Sequence, residues 1–146
     1  MNPRGYVLFH VSGGAGGYYV HVRRADADEK DKGYDSRSLA EGDVFTAIVL
    51  RPGAYSIVNS LTGAKGELIV NYPKQGEKRY RPPAPVRVMC QLKSFEPARA
   101  QIDPGQGVIF ESRAYSRIQI KLEKPDDGPK SKEPPRPSGL IANRAR

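Results

Sequence analysis

The sequence predicts an all-β protein, an antiparallel β-sandwich or barrel. Three observations carry this: short apolar segments alternate with a two-residue period, turn signals separate them every few residues, and helical periodicity is absent. Fifteen glycines and thirteen prolines in 146 residues are too many breakers for long helices. That length suits one domain with a single core. We expect a sandwich domain over residues 1–124 and a flexible, Pro-rich basic tail over 125–146.

In chain order, Val7, Phe9 and Val11 alternate with Tyr6, Leu8 and His10, and the pattern resumes beyond a Gly-rich link as Tyr18, Val20 and Val22 against Tyr19, His21 and Arg23. This reads as a hairpin. The Gly-rich link is no phosphate cradle, since a β-branched and aromatic strand follows it instead of a helix N-terminus, without a Gly-Lys-Ser/Thr. Residues 24–41 are polar with mixed charge and read as a long surface loop, Ser38 and Glu41 hinting at one capped helical turn.

Seven further strands are expected: Val44 to Leu50, Tyr55 to Val58, Glu67 to Tyr72, Val86 to Leu92, Ala98 to Ile102, Gly107 to Ser112 and Arg117 to Glu123. Arg51-Pro52-Gly53 and Asp103-Pro104-Gly105 fix φ with proline and supply positive φ with glycine, and Thr62-Gly63 and Gln75-Gly76 mark other reversals. Arg81 to Pro85 holds three prolines that cannot donate to a ladder, so it reads as an extended crossover between sheets. Val86, Val88, Cys90 and Leu92 share one strand face, which makes the single cysteine a core residue.

Two stretches resemble the cupredoxin family. Gly42-Asp43, Phe45, Pro52-Gly53 and Tyr55 are similar to the frame that precedes its copper loop, and Gly63, Gly66, Leu68 and Val70 to its closing loop and strand. Phe95, Pro97, Gly107, Val108 and Phe110 resemble the segment before the family's first histidine ligand, although the two pieces occur here in reversed order. The resemblance implies a cupredoxin-like sandwich, whole or permuted. It also implies that the ligands are missing: Asn59 stands at the cysteine position, Ala64 at the methionine position, and Arg113, Tyr115 and Arg117 occupy the loop that carries histidine in the family. Without a thiolate and two imidazoles a blue-copper centre cannot be assembled, so no cofactor is expected.

His10 and His21 could share one face of the opening hairpin, but with only Asp26, Asp28, Glu29 and Asp31 near in sequence they read as exposed strand residues. No nucleophile and base pairing stands out, and an enzyme is not expected. The net charge of +8 favours anionic partners. The candidate binding residues are the basic, aromatic interval Tyr72, Lys74, Lys78, Arg79, Tyr80, Arg81 and Arg87, extended by Arg113 and Arg117. Its cations can meet phosphates while its tyrosines offer stacking faces. The plainer reading of the same interval is a solvated loop or a protein-facing patch.

The leading expectation is a metal-free interaction or assembly module that engages a protein partner or a second copy. The alternative is a nucleic-acid or polyanion binder. An exported carbohydrate-binding sandwich is disfavoured by the lack of tryptophan and of a signal-like start. The longest apolar runs fall short of a membrane span, and a cytoplasmic location is expected. In the tail, Pro134 and Pro137 meet the minimal PxxP spacing, and Leu140-Ile141 form an isolated apolar pair.

Overall fold

The computed structural model describes Val7, Phe9 and residues 18–23, 25–26, 33–73 and 80–128. The rest of the first arm of the opening hairpin, with His10, the Gln75-Gly76 reversal and the tail beyond Gly128, including its PxxP and Leu140-Ile141, lie outside the described residues.

Ten strands and no helix make up the described part: β1 (His21–Val22), β2 (Tyr34–Asp35), β3 (Val44–Ile48), β4 (Gly53–Asn59), β5 (Lys65–Val70), β6 (Val86–Cys90), β7 (Phe95–Glu96), β8 (Arg99–Ile102), β9 (Gly107–Ser112) and β10 (Ile118–Pro125). One four-stranded sheet runs β10-β4-β5-β8, a second runs β3-β9-β6-β7, and β1 and β2 form a separate ribbon. The fold is all-β, as the alternation predicts.

The sheets are mixed instead of antiparallel throughout, because β5 and β8 pair in parallel, as do β6 and β9. The cause is connectivity. Besides the passages from β3 to β4 and from β9 to β10, the chain changes sheet at three connections that separate these neighbours, between β5 and β6, between β7 and β8, and between β8 and β9. Neighbours separated by such crossovers can run in the same direction, whereas strands joined by tight turns cannot. The proline-rich segment 81–85 is the first of these crossovers, and buried Gln106 fixes it by donating Nε2–H to Ala84 O at 2.6 Å. Gln106 sits at the close of the Asp103-Pro104-Gly105 turn, where its N–H donates to Asp103 O at 3.0 Å and Gly105 takes φ 79°. A β-branched side chain could not hold that conformation without strain.

Alternation along the strands sends one face of each sheet inward. Tyr55, Ile57, Leu68, Val70, Ala100 and Ile102 from the first sheet meet Val88, Cys90, Phe95, Val108 and Phe110 from the second in one core. Phe110 lies near its centre, stacked on Phe45 with ring centroids 6.1 Å apart and edge-on to Phe95 at 6.4 Å. Cys90 is fully buried there. Leu92, expected on the same face, is 60% exposed, because β6 stops at Cys90 and the chain reverses with Gln91 N–H donating to Ser94 O.

The segment 24–41 also departs from the surface-loop expectation. Tyr34–Asp35 pairs with His21–Val22, and Leu39 is fully buried in an antiparallel bridge to Ser116. The capped helical turn at Ser38 to Glu41 is absent. Ser38 N–H instead donates to Asp35 O, and Asp43 Oδ2 accepts from Ala40 N–H, closing turns that cannot continue as a helix. Truncation of Leu39 to alanine is expected to cost about 2–5 kcal/mol, as for a core leucine. Urea unfolding of the full chain measures it, and a loss within noise would return this segment to the surface.

Candidate interaction surface

Asn59 ends β4 at the position where the family resemblance places a copper-binding cysteine, and it is fully buried. Its Oδ1 accepts from Leu61 N–H at 3.1 Å and Arg117 N–H at 3.0 Å. Its Nδ2 donates to Ser116 Oγ at 3.1 Å and makes a longer 3.4 Å contact with Tyr115 O. A carboxamide offers two donor hydrogens and two acceptor lone pairs, so the group is fully committed. Ala64, at the methionine position, is buried and accepts from Asn59 N–H at 2.9 Å. Among the described residues no group of three or more histidine, cysteine, aspartate or glutamate side chains is placed to hold a metal ion.

The basic, aromatic candidates fall into three neighbourhoods. Tyr72, Tyr80 and Arg81 line one cleft of about 580 Å³ with Pro73, Pro83 and Pro104 and the polar side chains of Asn71, Gln101 and Asp103. Asn71 Nδ2 donates to Asp103 Oδ1 at 2.8 Å, and Gln101 Nε2 to Asn71 Oδ1 at 2.6 Å, so that wall is a connected amide and carboxylate chain. The described chain ends against the cleft: Gly128, at φ 73°, lies on the Tyr72 ring so closely that any Cβ there would overlap it. Lys74, Lys78 and Arg79 lie outside the described residues.

Arg87 and Arg113 form the second neighbourhood. Arg87 on β6 pairs with Glu111 of β9, and Arg113 reaches the other oxygen of the same carboxylate at 3.7 Å. Arg117 forms the third, donating Nε–H to Arg37 O at 2.6 Å. Arg37 itself grips Asp35 through Nε and Nη2 and stacks 3.7 Å over the Tyr19 ring. That grip holds the Asp35 carboxyl down at about 2. These cations thus have structural partners, a feature invisible in a count of charges.

The outward faces of both sheets carry ion pairs, and the second is apolar only along its β3 margin. On the β10-β4-β5-β8 sheet, Ser56 donates to Glu123, Lys121 pairs with Glu123, and Arg99 pairs with Glu67 across β5 and β8. The other outward face carries the Arg87, Glu111 and Arg113 cluster, with Glu111 opposite Val44, and along β3 it presents Val44, Thr46 and Ile48, Val44 being 49% and Ile48 54% exposed. The inward positions Phe45 and Ala47 pack on the core, so β3 is apolar on both sides.

The four edges of the two larger sheets differ among themselves. β10 carries Lys121 and Lys124, a register shift between Leu122 and Lys124, and Pro125 at its end. β8 exposes Arg99 and Gln101 and is followed by Pro104, and β7 is two residues long and runs into Pro97. Charge, proline, bulges and shortness are the usual means of keeping a strand edge from pairing with another chain. β3 has none of them over its five residues. Sequence reasoning identified the strand but not this edge. The available signal is the run from Val44 to Leu50, apolar except at Thr46, which suits a strand covered on both faces.

No family model, no curated protein and no solved structure matches the chain. No helix among the described residues is long and apolar enough to cross a membrane.

Two outcomes follow from the buried groups. Asn59→Ala strands the Leu61 and Arg117 N–H groups and is expected to cost about 2–4 kcal/mol in urea unfolding; a neutral result would show that the amide is dispensable. Burial pushes the Cys90 thiol up to about 11 from 9.0. The unfolded chain therefore loses this proton first, and the thiol's contribution to stability, complete below about pH 9, declines as pH rises towards 11. Native chain at about pH 8 is expected to resist alkylation that the unfolded chain undergoes, and equal labelling of both would contradict the burial.

Proposed function

We propose that the chain is a non-catalytic, metal-free interaction or assembly module that joins a larger complex through β3 and the outward face around it. The observation that carries this reading is the contrast among edges: three are guarded and β3 is not. An apolar, unguarded edge is an aggregation liability unless something covers it, which favours a strand meant to be covered. On this reading the sandwich is similar to a cupredoxin that has exchanged its ligands for structural groups, with Asn59 holding the turn that a copper loop would occupy. The setting is cytoplasmic, and the partner is a protein or a second copy.

A second reading has one specific observation in its favour. Tyr72, Tyr80 and Arg81 converge on one cleft, which would give a nucleic acid or other polyanion stacking faces beside a cation. The paired state of Arg87 and Arg113 and the anchoring of Arg117 leave less free charge for this than their number implies.

Affinity capture with the full chain, with and without nuclease and at two salt concentrations, separates the readings when run beside Ile48→Glu. The module reading predicts defined proteins, or a second tagged copy, that survive nuclease and disappear with Ile48→Glu. Nucleic acid alone, lost at high salt and indifferent to Ile48→Glu, would favour the polyanion reading.

A further inference from the structure

We infer that the occupant of the β3 edge is β3 of a second copy, paired antiparallel about Thr46 so that two β3-β9-β6-β7 sheets join into one continuous sheet. This rests on the reading of β3 as an interaction edge and names its partner.

Backbone parity supports it. Ser112 N–H donates to Asp43 O, and Gly105 N–H to Val49 O. Hydrogen-bonding direction alternates along a strand, so Phe45 and Ala47 also turn their polar groups towards β9. Val44, Thr46 and Ile48 therefore point N–H and C=O outward from the sheet, and among the described residues no strand pairs with them. A two-fold axis at Thr46 places each outward donor opposite an outward acceptor, with Thr46 facing Thr46. An antiparallel pair about a two-fold is self-complementary, as an isologous interface must be.

The side chains agree with the same register. Val44 of one copy falls opposite Ile48 of the other, twice, extending the exposed apolar face across the junction. Glu41 and Asp43 precede the strand and Arg51 follows it, so antiparallel pairing brings the acidic end of each copy to the basic end of the other. Among the described residues the Arg51 guanidinium makes a loose 3.6 Å contact with Asp127, both side chains being exposed. Sheet extension through one five-residue strand covers a small area, so the dimer is expected to be weak and concentration-dependent, with dissociation in the micromolar range or above.

Sedimentation equilibrium of the full chain over a wide concentration range tests this, with circular dichroism to confirm that variants keep the fold. The expected result is a reversible monomer and dimer. Thr46→Lys, at an exposed position, sets two like charges face to face and should raise the dissociation constant about fivefold or more. Charge reversal by Glu41→Arg or by Arg51→Glu should weaken the dimer, and the two together should restore it, a signature of the register that a general loss of stability would not give. A chain that stays monomeric, or a dimer indifferent to Thr46→Lys, overturns the inference. A monomeric chain that captures a different protein in a Thr46-dependent manner overturns the self-pairing while leaving the interaction-edge reading in place; loss of both would remove that reading as well.

Discussion

The side-chain amide of Asn59 closes one end of the sandwich. Through Leu61 it shapes the turn from β4 to β5, and through Arg117 and Ser116 it fixes the start of β10. Ser116 in turn exchanges both backbone hydrogen bonds with Leu39, at 2.8 and 2.9 Å, which draws the segment after β2 down onto the body. Buried polar groups are costly unless satisfied, and a fully satisfied one ties together everything it touches. One residue thereby couples three stretches far apart in sequence. With four partners its carboxamide has no donor or acceptor left over.

Much of this architecture is legible in the residue order. All seven strands expected between Val44 and Glu123 are present, because alternation and Pro-Gly turns are local signals that burial of one face reinforces. What escaped is non-local. The parallel pairings depend on which sheet each strand joins, and the alternation of Ala98 to Ile102 or Val86 to Cys90 is the same in either sheet. Leu39 is a lone apolar residue in a polar stretch, so no periodicity announces its burial. β2 and β7 are two residues each, too short to alternate, and β1, within the expected arm from Tyr18 to Arg23, pairs with β2.

The candidate surface was legible in part for related reasons. Tyr72, Tyr80 and Arg81 are close in sequence and share a cleft, while Asn71, Gln101 and Asp103 arrive there from the neighbouring strand ends. The apparent basicity of Arg87 and Arg113 is tempered by Glu111, which is two residues from Arg113 in sequence but is brought beside Arg87 only by the parallel register of β6 and β9. The edge at β3 is a property of the completed sheet, since any strand has two edges until its neighbours are known. Of the four edges of the two larger sheets, three are guarded and the one at β3 is not.

The most direct test of this account is amide hydrogen exchange along β3, followed by NMR in dilute and concentrated samples of the full chain. The N–H groups of Phe45 and Ala47, bonded within the sheet, should be protected at both concentrations. Those of Val44, Thr46 and Ile48 should exchange freely when dilute and become protected when concentrated. Protection of all five regardless of concentration, or free exchange of the outward three at every concentration, would contradict an edge that is covered by association between chains.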